Sequence, residues 1–343
     1  MRKKIFKVLQ YVLFLGLGVF IFWYVYKDLD IDQLFIALKE VNYWWLSLAL
    51  VFSLLSHYSR ALRWRLLITP MGFKPSVGNS FFAVMILYVT NLLIPRAGEI
   101  ARCSVLTRYE KIPFTKLLGT VVTERITDVF FMFILTLVVL ALELGVIKQF
   151  FISNPEISNS FNSYASWDIF IVFIGILIFL AIIFYLLRKG MKNSVVYKKL
   201  AGLFRSFLEG IKTIRNLENF WLFIFYSFFI YLMYYITLYV TFLSFPPTSD
   251  LTPSAALVVF FMGTLAMLAP VQGGIGAYHF MIYQSLILYG VMQSDGKIFA
   301  LIAHTSVNFL ILIFGVLSLV ILPIYNNRRK VSTAEEEGIK FPA

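Results

Sequence analysis

The stretch Thr123-Glu124-Arg125-Ile126-Thr127-Asp128 sets three ionisable side chains inside an otherwise apolar run. Glu124 and Asp128 stand four apart and share a helix face, with Arg125 about 100° around from Glu124. In a membrane each such charge costs about 2.5–3.5 kcal/mol on insertion scales, so the three need partners and a polar surrounding. A second charged set, Arg96, Glu99 and Arg102, follows Pro95. Two chemistries fit these residues. In one, Glu124, Arg125 and Asp128 close with Arg96 and Arg102 into an ion-pair network that fixes helix register and touches no ligand. In the other, a guanidinium remains available to an anionic group such as a lipid phosphate, which it matches with paired hydrogen bonds. A carboxylate beside it then binds a cationic headgroup or carries a proton.

The remaining chemistry-bearing residues are sparse. Gly273, Gly274 and Gly276 interrupt a second apolar segment, and His279 follows them, either titrating near neutral pH or packing between helices. His304 and Asn308, four apart, read as a bond across helices, and Ser56, His57 and Arg60 as an inner span end that meets headgroups. Cys103 is the single cysteine, and three histidines are too few and too scattered for a metal site, so no disulfide, metal or cofactor is expected. No G-x-x-x-x-G-K-[ST] run occurs, and Gly273-Gly274-x-Gly276 in a helical context is not a dinucleotide fingerprint.

The elements that must carry these residues follow from composition. Of 343 residues 60% are hydrophobic and 14% charged, with a mean hydropathy of +0.82. A soluble chain carries about 25% charged residues. The apolar residues come in blocks long enough to cross a hydrocarbon core of about 30 Å. A soluble enzyme, a secreted disulfide scaffold and a disordered chain are excluded, and the fold class is an all-α polytopic membrane protein. Full spans are expected at about 5–26, 43–66, 113–144, 168–187, 220–243 and 298–324. The segments 79–94 and 253–291 fit the length rule poorly and are read as broken or re-entrant.

Charge sets the orientation. With each broken segment entering and leaving on one side, the loops 1–7, 59–78, 95–116, 188–219 and 325–343 share a side and hold 25 of the 30 Lys and Arg. Lys27, Lys39, Lys148 and Lys297 fall opposite, and Arg125 remains within a span. If 79–94 crossed once, the basic loop 188–219 would land outside, against the positive-inside bias. Both termini are therefore expected in the cytoplasm. The net charge of +12 is assigned to loops facing anionic lipid, with no nucleic acid partner. Six tryptophans, Trp23, Trp44, Trp45, Trp64, Trp167 and Trp221, fall at the expected span ends.

The two broken segments resemble each other. Asn91-Leu-Leu-Ile-Pro95-Arg-Ala-Gly98-Glu99-Ile100 lies on Met267-Leu-Ala-Pro270-Val-Gln-Gly273-Gly274-Ile275 with a shared P-x-x-G-x-I, 175 residues apart. The flanking spans follow at similar offsets and start on opposite sides. An inverted repeat with Gly/Pro-interrupted segments in matching places points to a substrate site near the midplane. One transmembrane domain over 1–325, with halves 1–145 and 166–325, is expected to precede a short cytoplasmic tail, 326–343.

With those residues in view, the chain resembles the flippase-like transmembrane region of the lysylphosphatidylglycerol synthase family. The likeness rests on Asn91-Leu-Leu-Ile-Pro95-Arg96-Ala-Gly98-Glu99-Ile-Ala-Arg102, Glu124-Arg125-x-x-Asp128 and Pro270-x-x-Gly273-Gly274-x-Gly276, and less specifically on Arg63-x-Arg65-x-x-Leu. It implies a bacterial inner-membrane protein that moves a polar lipid between leaflets, without the soluble aminoacyl-transfer domain and so without enzymatic lysine transfer. The family often has Glu where this chain has His279. The expected substrate-binding residues are Arg96, Glu99, Arg102, Glu124, Arg125, Asp128, Gly273, Gly274 and His279. Membrane lipids are the expected partners, through an anionic headgroup or lipid phosphate. The alternatives are a non-catalytic partner of a lipid-modifying or glycosyl-transferring enzyme, and an intramembrane enzyme using Glu124 and Asp128 as an acid–base pair.

Overall fold

A computed structural model describes residues 16–94, 97–153, 217–269 and 271–336. The expected span 168–187, and with it Trp167, Pro95, Arg96 and Pro270, lies outside the described residues, as does the first part of the span 5–26. The described regular structure is helical, with no strand: α1 (Gly16–Tyr26), α2 (Ile31–Glu40), α3 (Tyr43–Ile68), α4 (Val77–Leu93), α5 (Gly98–Glu110), α6 (Phe114–Ser153), α7 (Phe220–Leu243), α8 (Pro253–Ala266), α9 (Ala277–Ile287) and α10 (Gln293–Glu336).

Local chemistry sets the ends of these helices. The Asn42 side chain accepts from the backbone N–H groups of Trp44 and Trp45, starting α3. Ser76 accepts from Asn79 N at the start of α4, and Thr252 accepts from Ala255 N ahead of Pro253, the first residue of α8. Each side-chain oxygen satisfies an N–H that has no partner in the first turn. α6 is interrupted by non-helical Glu143, at the end of the expected 113–144 span.

Among the described residues three helices are long and apolar enough to cross a bilayer: Phe114–Glu143, Phe220–Leu243 and Gln293–Arg329. α2 and α3 together form a fourth, broken candidate, bent by 83°. Their outer faces expose Phe130, Phe133, Trp221, Phe225, Phe309 and Val316, as a lipid-facing surface must.

Of the segments that fitted no simple span, 79–94 is one straight arm, α4, of a helical hairpin completed by α5, and 253–291 holds a second hairpin. At the open end of the first, Asn79 Nδ2 and Ser76 N, at the start of α4, donate to Glu110 Oε1 at the end of α5, over 2.6 and 3.0 Å. The start of α4 and the end of α5 therefore meet, so the chain returns to the side from which it came through residues 98–110, which the sequence alone places in the loop 95–116. At its closed end, Asn91 Oδ1 on α4 accepts from Gly98 N, 2.8 Å, and caps α5. Gly98 is required there, because a Cβ would collide with the Leu87 carbonyl oxygen. In the second hairpin α8 and α9 pack side by side, Gly263 against Tyr278 and Ile282. The break between them passes through Gly273, Gly274 and Gly276 at φ +57°, +74° and +80°, values that a side chain disfavours. α3 packs along α7, and α10 packs on both α4 and α9.

Candidate functional site

The charged residues converge where α3, α5, α6 and α7 meet. Glu124, fully buried on α6, pairs with Arg102 of α5 and, at 3.4 Å, with Arg63 of α3. Arg63 Nη2 also reaches Asp128 Oδ1 at 2.8 Å, and its Nη1 donates to Ser227 Oγ of α7 at 3.4 Å. Arg60, one turn earlier on α3, bonds Asp128 Oδ2 at 3.4 Å and Tyr234 OH at 3.3 Å. Tyr234 in turn bonds Tyr88 OH of α4 at 3.1 Å. The Arg102 guanidinium lies 4.5 Å from the Trp64 ring, whose indole N–H donates to Thr120 Oγ1 at 2.8 Å.

At the edge of this cluster the character changes. Arg125 donates to Glu99 Oε1 at 2.8 Å and lies 3.5 Å from Asp128 Oδ2, yet its side chain is 48% exposed, whereas those of Arg63, Arg102 and Glu124 are fully buried. Among the described residues four guanidinium groups thus meet three carboxylates, a surplus of one positive charge. Arg60 Nε, Arg63 Nε, Arg102 Nε and Nη1, and both ring nitrogens of His57 are buried with no partner among the described residues.

Five expected site residues, Glu99, Arg102, Glu124, Arg125 and Asp128, are brought together here; Arg96 lies outside the described residues. The partners differ from the expectation. Arg60 and Arg63, assigned to an inner loop and its headgroup surface, are buried at 6% and 0% exposure and face the carboxylates. Ser56 and His57 are likewise buried. Trp64 is no interfacial anchor, since its exposure is zero and it stacks on Arg102. Trp44 and Trp221, by contrast, are among the most exposed aromatic side chains. The spacing of Ser53, Ser56, His57, Arg60 and Arg63 carried the missed signal: polar residues three or four apart form one stripe along an apolar helix.

Gly273, Gly274 and His279 form a separate set in the second hairpin. His279 is 1% exposed, and its Nδ1 accepts from Gly276 N at 3.2 Å, so it caps its own helix. Its ring meets Phe22, Tyr26 and His304 edge-on, with centroids 5.2, 5.5 and 4.6 Å away. These contacts make it a packing residue of the hairpin break. His304 Nε2 bonds the Gly273 carbonyl at 2.8 Å, and Asn308 Nδ2 sits 3.1 Å from the His304 ring nitrogens. The hairpins touch at their tips, where Gln272 Nε2 donates to the Leu92 and Leu93 carbonyls at 2.5 and 3.1 Å. Both carbonyls lie at the C-terminal end of α4. Among the described residues no three His, Cys, Asp or Glu side chains gather as metal ligands.

A helical membrane protein with re-entrant hairpins, and a buried arginine–carboxylate cluster open at one edge, is the class that fold and site define. Residues 8–315 match the family model described as the lysylphosphatidylglycerol synthase TM region, and the chain belongs to that family of lipid-handling membrane proteins. Neither a curated protein nor a solved structure matches it.

Proposed function

We propose that the protein is a lipid translocator of the bacterial inner membrane that carries a phospholipid or glycolipid headgroup between leaflets without making or breaking a bond in it. The observation that carries this reading is the half-exposed Arg125 at the rim of a cluster with one guanidinium in excess. The described cluster holds one guanidinium more than carboxylates, and a lipid phosphate reaching the edge where Arg125 is half-exposed would supply the missing negative charge. Glu99 and Asp128, which hold Arg125 between them, release it to the phosphate in exchange for one of their own contacts. Arg102, Glu124 and Arg63 form the floor that keeps this edge in place, and the acyl chains stay in the bilayer.

The hairpins supply the moving parts. Two breaks touching tip to tip, with α3 packed along α7, are the arrangement that inverted halves 1–145 and 166–325 would give. The excess of basic residues in the loops on one side supports cytoplasmic termini. The test is lipid exchange in proteoliposomes, with fluorescent phospholipids scored by quencher accessibility. Exchange above that of empty liposomes, lost in Arg125→Ala while the variant remains folded, is the expected result. Absence of exchange across phosphatidylglycerol, phosphatidylethanolamine and a glycolipid would overturn the reading in favour of an accessory partner of a lipid-modifying enzyme.

A further inference from the structure

At the opposite end of α10 from its Arg328–Arg329 pair, the turn between α1 and α2 and the first residues of α10 enclose a cavity of about 320 Å³. Asp28, Asp30 and Gln33 line one side, and Gln293, Ser294 and Lys297 the other. By the distribution of basic loops this is the outer face. Asp28, Asp30, Gln33 and Gln293 are exposed and form the rim. Lys297 is only 6% exposed and lies at the floor. Among the described residues its ammonium has neither ion pair nor hydrogen bond; its one described contact is the Tyr283 ring, 5.7 Å away. The Lys297 backbone is held in place by Tyr26, whose hydroxyl donates to its carbonyl at 3.0 Å.

The body of Lys297 is buried, but its ammonium opens on the cup with no counter-charge among the described residues, so an anion that enters can pair with it. Here the nearby carboxylates stand at the rim and make no salt bridge with it. The order of charges selects the occupant. A simple anion would have to pass two carboxylates to reach one ammonium, and a simple cation would meet that ammonium at the bottom. A molecule with both charges satisfies the two ends together. We infer that this cup is a binding site for a small zwitterion, which seats its phosphate or carboxylate on Lys297 and holds its ammonium between Asp28 and Asp30. Gln33, Gln293 and Ser294 supply neutral hydrogen bonds around it. Of the two carboxylates Asp28 is the freer, because Asp30 Oδ1 already accepts from Asp32 N at 2.8 Å to start α2. The zwitterion can come from water or from a lipid headgroup, and both sources present the same chemistry.

The test is calorimetric titration of the purified full-length protein with O-phosphoethanolamine, with inorganic phosphate and ethanolamine as single-charge controls. Saturable binding is expected for phosphoethanolamine, at least tenfold tighter than for either control. It weakens at least tenfold in Lys297→Gln and in Asp28→Asn. Asp28 is exposed, so its variant keeps the test decisive if the buried amide of Lys297→Gln disturbs folding. Repeating the titration in nanodiscs of phosphatidylglycerol, with and without phosphatidylethanolamine, separates the sources. Tenfold weaker apparent binding with the second lipid assigns the cup to a headgroup, and unchanged binding assigns it to a soluble zwitterion. No saturable binding in either setting, equal binding of a single-charge control, or no effect of Asp28→Asn would overturn the inference. The cup shares no residue with the arginine cluster, so the failure of one reading leaves the other standing.

Discussion

Glu124→Gln and Arg125→Ala should separate what holds the cluster together from what meets substrate. Glu124 is fully buried and is the described carboxylate partner of Arg102, as well as one of two for Arg63. Its replacement by a neutral amide leaves the Arg102 guanidinium buried against the Trp64 face, with its Nε and Nη1 already unpartnered. Removing one member of a buried pair costs about 3–5 kcal/mol. Arg125 holds its carboxylates from a half-exposed position, where ion pairs are worth roughly 0–1 kcal/mol. Equilibrium unfolding in mixed micelles should therefore show Glu124→Gln losing several kcal/mol and Arg125→Ala less than about 1 kcal/mol. In the exchange assay Arg125→Ala should nonetheless be inactive. Equal stability losses would refute the division of the cluster into floor and rim. Wild-type exchange by a folded Arg125→Ala would remove the rim from the transport path.

Three further outcomes follow from the packing. Gly98→Ala drives a methyl group into the Leu87 carbonyl and should part the arms of the first hairpin, lowering stability by about 1–3 kcal/mol in the same unfolding assay. Asn79 and Asn326 exchange reciprocal amide hydrogen bonds of 2.8 and 2.7 Å where α4 meets α10, so Asn326→Ala should cost about 1–3 kcal/mol, while Asn326→Gln, which keeps the amide, should recover part of it. Glu110, at the base of the first hairpin, is raised by burial but held lower on balance by hydrogen bonds from Ser76, Asn79 and Arg329. A carboxyl lowered in the folded state stabilises above its ordinary value of 4.5, and that contribution fades as pH falls through the folded value. Thermal melts should show the wild type losing its advantage over Glu110→Gln below about pH 4.5. A gap that is constant with pH would refute the assignment.

Much of the architecture was legible because a bilayer leaves few options. Expected spans at 43–66, 113–144 and 220–243 match Tyr43–Ile68, Phe114–Glu143 and Phe220–Leu243, since length and hydropathy alone decide them. The charge count expected 79–94 to leave on the side it entered, because a single crossing would have carried eight basic residues to the wrong side. The structure instead makes it one straight arm, α4, and brings the chain back through α5, which lies within the expected loop 95–116. Glu124 and Asp128 stood out because charges are conspicuous in an apolar run. Arg60 and Arg63 did not, because they sit one to three turns from the end of α3, where a basic residue equally reads as a headgroup contact. Their direction depends on how α3 is rotated against α6 and α7, which is a tertiary fact. Trp64 misled for the same reason. His279 could be read two ways in the sequence, and its bond from Gly276 N at the backbone break depends on a local turn that spacing alone does not reveal.

The tip-to-tip contact has a consequence for how the protein is made. The carbonyls that end α4 receive their donor from Gln272, 180 residues later in the chain. At translation rates of about 5–20 residues per second, the first hairpin waits roughly 10–40 s for the side chain that completes it. During that interval the tip of the first hairpin lacks the contact that Gln272 later makes to it. The nascent first half is thus an unfinished object that its own second half releases, and ribosomal pausing between the two should lengthen its stay at the site of insertion.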